Sequence, residues 1–363
     1  MQEKKLFSFI RFAIGQSESF EGNFSDEEWK QLYQFSAQQS LVGVFYRGIL
    51  RLPAEKSPPR EIKLRWSFQT ETIKGMNALQ NREAARLTEL FGAEGRRTAV
   101  LKGQANARLY PDAFIRQPGD IDLWVEGGRQ DVEELLKRRG LLGKPSISKH
   151  HLELAKEGSE VPVEIHFKPA AGPRNPKSYR AMMSFLEKEI LRSERVPEGF
   201  YAPTLKFALV MQLSHIYQHF LGSGIGLRQL MDYSQLLRVS TPEIRDEVSS
   251  MLQEMGLHHI AEALMWVERE VFGIPDAQLL CKPDERRGRV LLREVMEGGN
   301  FGNYAEKYRH SVLVRWFKDR VNAVRRLGFD PREVLWAEFK YWIATAKLVP
   351  RRIRLGKLGL GGR

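Results

Sequence analysis

A single cysteine, Cys281, is all the thiol chemistry in 363 residues. No internal disulfide can form, and nothing points to an oxidising compartment. Long apolar runs are missing as well: no stretch approaches the roughly 20 residues that cross a bilayer as a helix. The opening MQEKKLFSFIRFAIG joins a short basic start to a short apolar stretch, but Arg11 interrupts it and no small-x-small cleavage site follows. That argues against a secretory signal and favours an amphipathic first helix, so a cytoplasmic protein is expected. Acidic charge is in deficit, 45 Asp and Glu against 57 Lys and Arg. The excess favours an anionic partner, whether nucleotide, nucleic acid, acidic lipid or acidic protein. The basic residues are scattered over helices; only Arg351, Arg352, Arg354, Lys357 and Arg363 gather, in a tail that reads as flexible. No internal repeat is evident.

Hydrophobic residues make up 42% and charged residues 28%, the balance of a folded globular chain, and the length suits two or three domains. The expected class is α+β. A helical N-terminal region (1–95) precedes a small mixed-sheet α/β core (96–172); a large helical C-terminal domain (173–350) and the basic tail (351–363) follow. Ser25 and Glu28 form a capping box, with Phe24 and Trp29 as its hydrophobic staple. Apolar spacing predicts a helix from Trp29 to Leu50. The three prolines of LPAEKSPPR break it, and a second long helix runs from Glu61 to Phe91. From Thr98 the period shortens. TAVLKG reads as a strand, QANARLY as a helix stopped by Pro111, DIDLWV as a strand and Arg129–Arg139 as a helix. HHLELAKEGSEVPVEIHF reads as a hairpin turning at Gly158-Ser159. Helices are expected over Leu205–Phe220, Leu227–Val239, Thr241–Met255, His258–Phe272, Arg286–Glu297, Ser311–Leu327 and Pro331–Leu348.

The residues that carry chemistry are Gly119-Asp120-Ile121-Asp122-Leu123-Trp124-Val125. On a strand, positions two apart share a face. Asp120 and Asp122 then project side by side while Ile121, Leu123 and Val125 enter a core. Paired carboxylates repel, and burying them costs several kcal/mol, roughly, without a cation. Hard oxygen ligands of this kind suit magnesium or manganese. Taken alone, the pair also fits an exposed strand start that caps a turn after Gly119. Leu101-Lys102-Gly103 closes the preceding strand and opens a helix, where free N–H groups and a lysine can meet phosphate. Glu164, between Val163 and Ile165, is an acid on a central-looking strand, and a metal shared with the two aspartates would explain it.

Together these pieces resemble the nucleotidyltransferase superfamily of DNA polymerase β and kanamycin nucleotidyltransferase. More closely, they resemble a bacterial branch of uncharacterised nucleotidyltransferases. The resemblance rests on Leu101-Lys102-Gly103, Arg116, Gly119–Asp122, Val163–His166, and the helical run His215, His219, Gly226, Leu227, Arg228, Gln229, Asp232, covering about residues 98 to 240. It implies that Asp120 and Asp122 hold two divalent ions, Mg2+ or Mn2+, on a nucleoside triphosphate, and that Glu164 completes one shell. Glu164 or a water on the ion would serve as base, and a nucleoside monophosphate would pass to a hydroxyl on an acceptor, a small molecule or a protein. Lys102, Gly103, Gln104, Arg116, Arg228 and His166 would contact the donor. One departure stands out: Gln104 follows the glycine where relatives carry a phosphate-binding serine. That departure keeps open a non-catalytic protein that binds or senses nucleotide. A nucleic-acid partner would need a continuous basic stripe beside the acids.

Several residues have two readings. His166 shares the Glu164 face, as an orienting group, a phosphate contact or a core histidine. His150 and His151 read as exposed strand residues, with metal ligation as the alternative. His215 and His219 have zinc-capable spacing, but Ile216 stands where a hydrolase HExxH motif needs glutamate; they either ligate metal or line the cleft. Arg228 pairs with Asp232 four residues on, or faces the donor. Arg116 pairs with an aspartate or a phosphate, or stays in solvent. Gly222, Gly224 and Gly226 follow no strand, so they are a flexible connection between helices, a hinge, and not a dinucleotide fingerprint.

Overall fold

The structure is a computed structural model that describes residues 2–143, 148, 150–155, 158–222, 224–298 and 326–354, without the side chains of 298 and 344–354. All but the last two residues of the predicted helix Ser311–Leu327, and most of the basic tail, lie outside the described residues. The elements are α1 (Glu3–Ala13), α2 (Asp26–Gln38), α3 (Val42–Leu50), α4 (Arg60–Ala93), β1 (Thr98–Val100), α5 (Gln104–Ala107), β2 (Ile121–Val125), α6 (Arg129–Arg138), β3 (His151–Glu153) and β4 (Val163–His166). They continue with α7 (Pro176–Glu189), β5 (Glu194–Arg195), β6 (Tyr201–Ala202), α8 (Leu205–Leu221), α9 (Leu227–Val239), α10 (Pro242–Met251), α11 (His258–Val267), α12 (Glu285–Gly298) and α13 (Pro331–Arg354). This is an α+β fold, helical on both sides of a small mixed sheet. No described helix is long and apolar enough to cross a membrane.

The capping box at Ser25 and Glu28 forms as expected, and the Phe24 and Trp29 rings meet at 4.7 Å. The single helix expected over Trp29–Leu50 is instead two. Ser40 takes a left-handed backbone (φ 58°) between α2 and α3. The break turns the Gln39 side chain inward, where it accepts from Leu227 N (2.8 Å) and donates to Val295 O (3.1 Å). A buried side chain that ties two distant backbones outweighs the apolar period that favours an unbroken helix.

The four-stranded sheet runs β1-β2-β4-β3. β1 and β3 are antiparallel edges, and β2 and β4 form a parallel central pair. The expected hairpin is present as β3 and β4, with His151 opposite His166 and Glu153 opposite Glu164, though its connection is longer than a two-residue turn. Alternation along the strands sorts the two faces. Ile121, Leu123, Val125, Val163, Ile165 and Leu152 form a core with Leu87 and Phe91 of α4 and Leu135 of α6. The opposite face carries Asp122, Glu164 and His166. A second, larger core joins α1–α3 to α8–α12, so helices from both ends of the chain pack together.

After α11 the chain makes one π turn, Glu268–Phe272. Glu268 there is fully buried, and neither carboxylate oxygen has a hydrogen-bond partner. Burial pushes its pKa well above the ordinary value. The folded protein therefore keeps a proton that the unfolded chain releases near pH 4.3, the usual glutamate value. Stability must fall as pH rises from there to the folded pKa, by about 1.4 kcal/mol per pH unit. Glu268→Gln removes that slope. Thermal unfolding of both proteins between pH 5 and 8 should show the variant gaining on the native chain as pH rises; a constant gap would mean that Glu268 is ionised in the fold.

Candidate active site

Register places the acids. Asp122 on β2 lies opposite Glu164 on β4 across a parallel pair, and Trp124 lies opposite His166. Asp120 precedes β2 and continues the Asp122 face by alternation. A cavity of about 390 Å3 covers this face, and Lys102, Asp120, Asp122, Glu164 and His166 all line it. Three expected acids and the expected lysine therefore meet at one opening.

Their charges are partly reconciled within the protein. Lys102 Nζ sits 2.5 Å from Asp122 Oδ2. His166 Nε2 lies 3.0 Å from Asp122 Oδ1 and 3.3 Å from Glu164 Oε2, bridging the two strands. Burial works against the Asp122 charge, but Lys102 and His166 hold its carboxyl far below the usual range. Burial likewise opposes charge on His166, yet the two carboxylates raise its pKa to about 9. Lys102 is disfavoured by burial and still raised, because Asp122, Asp120 and Glu164 surround it. Glu164 is lowered against its own burial by His166. Asp120 goes the other way: burial and the charge of Asp122 raise it, with only Lys102 as a substantial counterweight. Two cations thus face three acids, and Asp120 is the acid whose charge is least favoured.

Such a donor set fits a divalent cation. Asp122, Glu164 and His166 each offer a ligand atom within 4.8 Å of the others, and Asp120 adds an oxygen donor to the same cavity. Gly103, at the turn into α5, has φ 60°, a left-handed conformation that a side chain would strain. Its turn lies one residue from Lys102.

The remaining predicted residues have different employment. The Gln104 side chain is buried and donates to Asn81 Oδ1 (2.8 Å) and Asn77 Oδ1 (3.2 Å) on α4. It points away from the turn, so only its backbone is available to a phosphate. Arg116 grips Asp232 through Nε–Oδ1 and Nη2–Oδ2, both 2.7 Å, and Tyr110 donates to the same carboxylate at 2.8 Å. Of its expected partners it has the aspartate, and Asp232 goes to Arg116. Arg228 is buried and donates to Gln117 O (3.0 Å) and Pro118 O (3.3 Å), the residues before Gly119-Asp120. Burial, with Arg116 nearby, lowers its pKa to about 10.

Sequence reading missed how this turn is held. Asn77 on α4 donates to Phe114 O and Arg116 O, each at 2.8 Å, and Gln80 donates to Gly119 O. The signal was present: Asn77, Gln80 and Glu83 occupy the buried stripe of α4, where apolar residues belong. His150 and His151, expected on an exposed strand, instead line the cavity, with His151 Nδ1 3.0 Å from Glu164 Oε2. Paired with β4, the start of β3 has to lie beside His166. His215 and His219 also line the cavity, their ring centroids 4.3 Å apart. Among the described residues no metal-capable group includes that pair.

Asp232→Asn removes the charge that neutralises a buried guanidinium, and breaking such a pair costs about 3–5 kcal/mol. Denaturant unfolding should show a loss of that size. A loss under about 1 kcal/mol, the range of a surface pair, would mean that Arg116 is stabilised by other groups.

No curated protein and no solved structure matches the chain. One family, described as uncharacterised nucleotidyltransferase, matches residues 25–273. That span holds most of the N-terminal helices, the whole sheet, every site residue above and the helices to the end of the π turn. The chain belongs to the uncharacterised nucleotidyltransferase family.

Proposed function

We propose that the protein moves a nucleoside monophosphate from a nucleoside triphosphate to a hydroxyl acceptor, with divalent magnesium or manganese held by Asp120, Asp122 and Glu164. The observation that carries this reading is the meeting of three carboxylates and one lysine on one cavity, with Asp120 the least compensated of the acids. When bound, ions of this type polarise phosphoryl oxygens and neutralise a departing pyrophosphate.

The protein's own groups divide the remaining work. Lys102, now on Asp122, stands beside the Gly103 turn and can exchange its carboxylate for a donor phosphate. The turn offers backbone N–H groups to the same phosphates. His166 holds Asp122 and Glu164 at a fixed separation through one nitrogen. Glu164, ionised and partly exposed, is placed to take the proton of an acceptor hydroxyl. Arg228 and Gln80 fix the backbone that aims Asp120, which makes them positioning residues; Arg116 locks Arg228's helix α9 to the same loop.

A second reading, a nucleotide sensor without turnover, is favoured by Gln104: its side chain is committed to α4, and among the described residues that line the cavity none carries a hydroxyl in place of the missing serine. One experiment separates the two. The full chain is incubated with labelled nucleoside triphosphates and magnesium or manganese, and pyrophosphate release and self-labelling are followed. Transfer predicts release that falls at least ~100-fold in Asp120→Asn, equivalent to the several kcal/mol that a metal contributes. Binding without release would identify a sensor. Nucleotide binding by calorimetry that is unchanged in Asp120→Asn would remove the site altogether.

A further inference from the structure

Of the eight histidines in the chain, His150, His151, His166, His215 and His219 line the same cavity. Three of them cluster closely. His150, His151 and His166 each offer one ring nitrogen within 4.8 Å of the other two. Their ring centroids are 4.6, 5.2 and 5.6 Å apart. Transfer chemistry on oxygen-held magnesium gives no reason to gather imidazoles in this way.

The bonding of His166 supplies one. Its Nε2 faces Asp122 and Glu164, while its Nδ1 is buried with no hydrogen-bond partner. A carboxylate on one ring nitrogen fixes the proton there and raises the basicity of the other, the arrangement that prepares histidine to ligate a metal; the ion would take the place of the second proton that the charged ring carries, releasing it to solvent. Imidazole nitrogens select zinc-class ions over magnesium, whereas carboxylates and water select the reverse.

We propose that His150, His151 and His166 form a nitrogen-donor site for a transition-metal dication of the zinc class, beside the oxygen donors of Asp120, Asp122 and Glu164. Three nitrogens leave a tetrahedral ion one open position, and the cavity lies against it. The site does not depend on nucleotidyl transfer; it needs only the histidine cluster and its carboxylate support.

The test uses the untagged full chain, stripped of metal and titrated separately with Zn2+, Co2+ and Mg2+. Zinc should bind about 100-fold or more tightly than magnesium, as softer ligands require. Cobalt should develop the visible absorption of a tetrahedral nitrogen site and lose it on adding zinc. His150→Ala and His151→Ala should each weaken zinc by about tenfold or more, with metal-free melting unchanged. Asp120→Asn, which reports on nucleotide, should leave zinc affinity unaltered, so either proposal can fail alone. Should one histidine variant fail to fold, the other still decides. Zinc held no more tightly than magnesium, or retained in the folded variants, would overturn the proposal. So would zinc lost only on His259→Ala, from the separate group of His258, His259 and Glu262.

Discussion

Parallel pairing of β2 with β4, in the register that sets Asp122 beside Glu164, is the constraint under which everything else in the cavity operates. Side chains alternate along a strand, so a slip of one residue would send both acids into the core and bring Leu123 and Ile165 out. The apolar faces of Ile121, Leu123, Val163 and Ile165 against α4 and α6 prevent that slip. Packing on one face of the sheet thereby fixes electrostatics on the other. His166 adds a direct bond between the two strands, holding through charge what the ladder holds through its backbone.

The helical regions contribute by fixing a loop. Residues 116–119 lead into Asp120 and belong to no regular element. They are held from one side by Asn77 and Gln80 of α4 and from the other by Arg228 and Asp232 of α9. Loops with such buried polar anchors keep backbone direction well, because each lost bond would leave a desolvated group unpaired. The aim of Asp120 is thus set jointly by helices some 150 residues apart in sequence, more than by the strand it precedes.

Legibility followed the range of each interaction. The Asp120-Ile121-Asp122 alternation, the glycine turn after β1 and the capping box at Ser25 are written within a few residues, and all were readable. The Glu164 position was readable as an acid among β-branched residues on a strand. Partner choice was not: nothing local says that Asp232 belongs to Arg116 and not to Arg228 on its own helix, or that Gln104 reaches back to α4. The break at Ser40 was hidden for the same reason, since it depends on what Gln39 bonds in α9 and α12. His150 and His151 looked like surface because their neighbour His166 arrives through pairing, and pairing is not visible in one strand.

The larger core has a consequence for how the chain is made. Arg11 and Gln16 hydrogen-bond to the backbone at Val271 and Gly273, and Arg238 reaches Ile14. Phe9 of α1 packs early, on Phe20, Phe24, Trp29 and Phe45, but the part of α1 that meets the π turn waits until some 270 residues have been synthesised. Until then the emerging N-terminal helices carry uncovered apolar surface, the condition in which nascent chains are most prone to aggregate or to need chaperone cover. Contacts of such long sequence separation also make folding slow. The ribosome's pace, more than the intrinsic preference of any helix, then decides when the beginning of this protein becomes native.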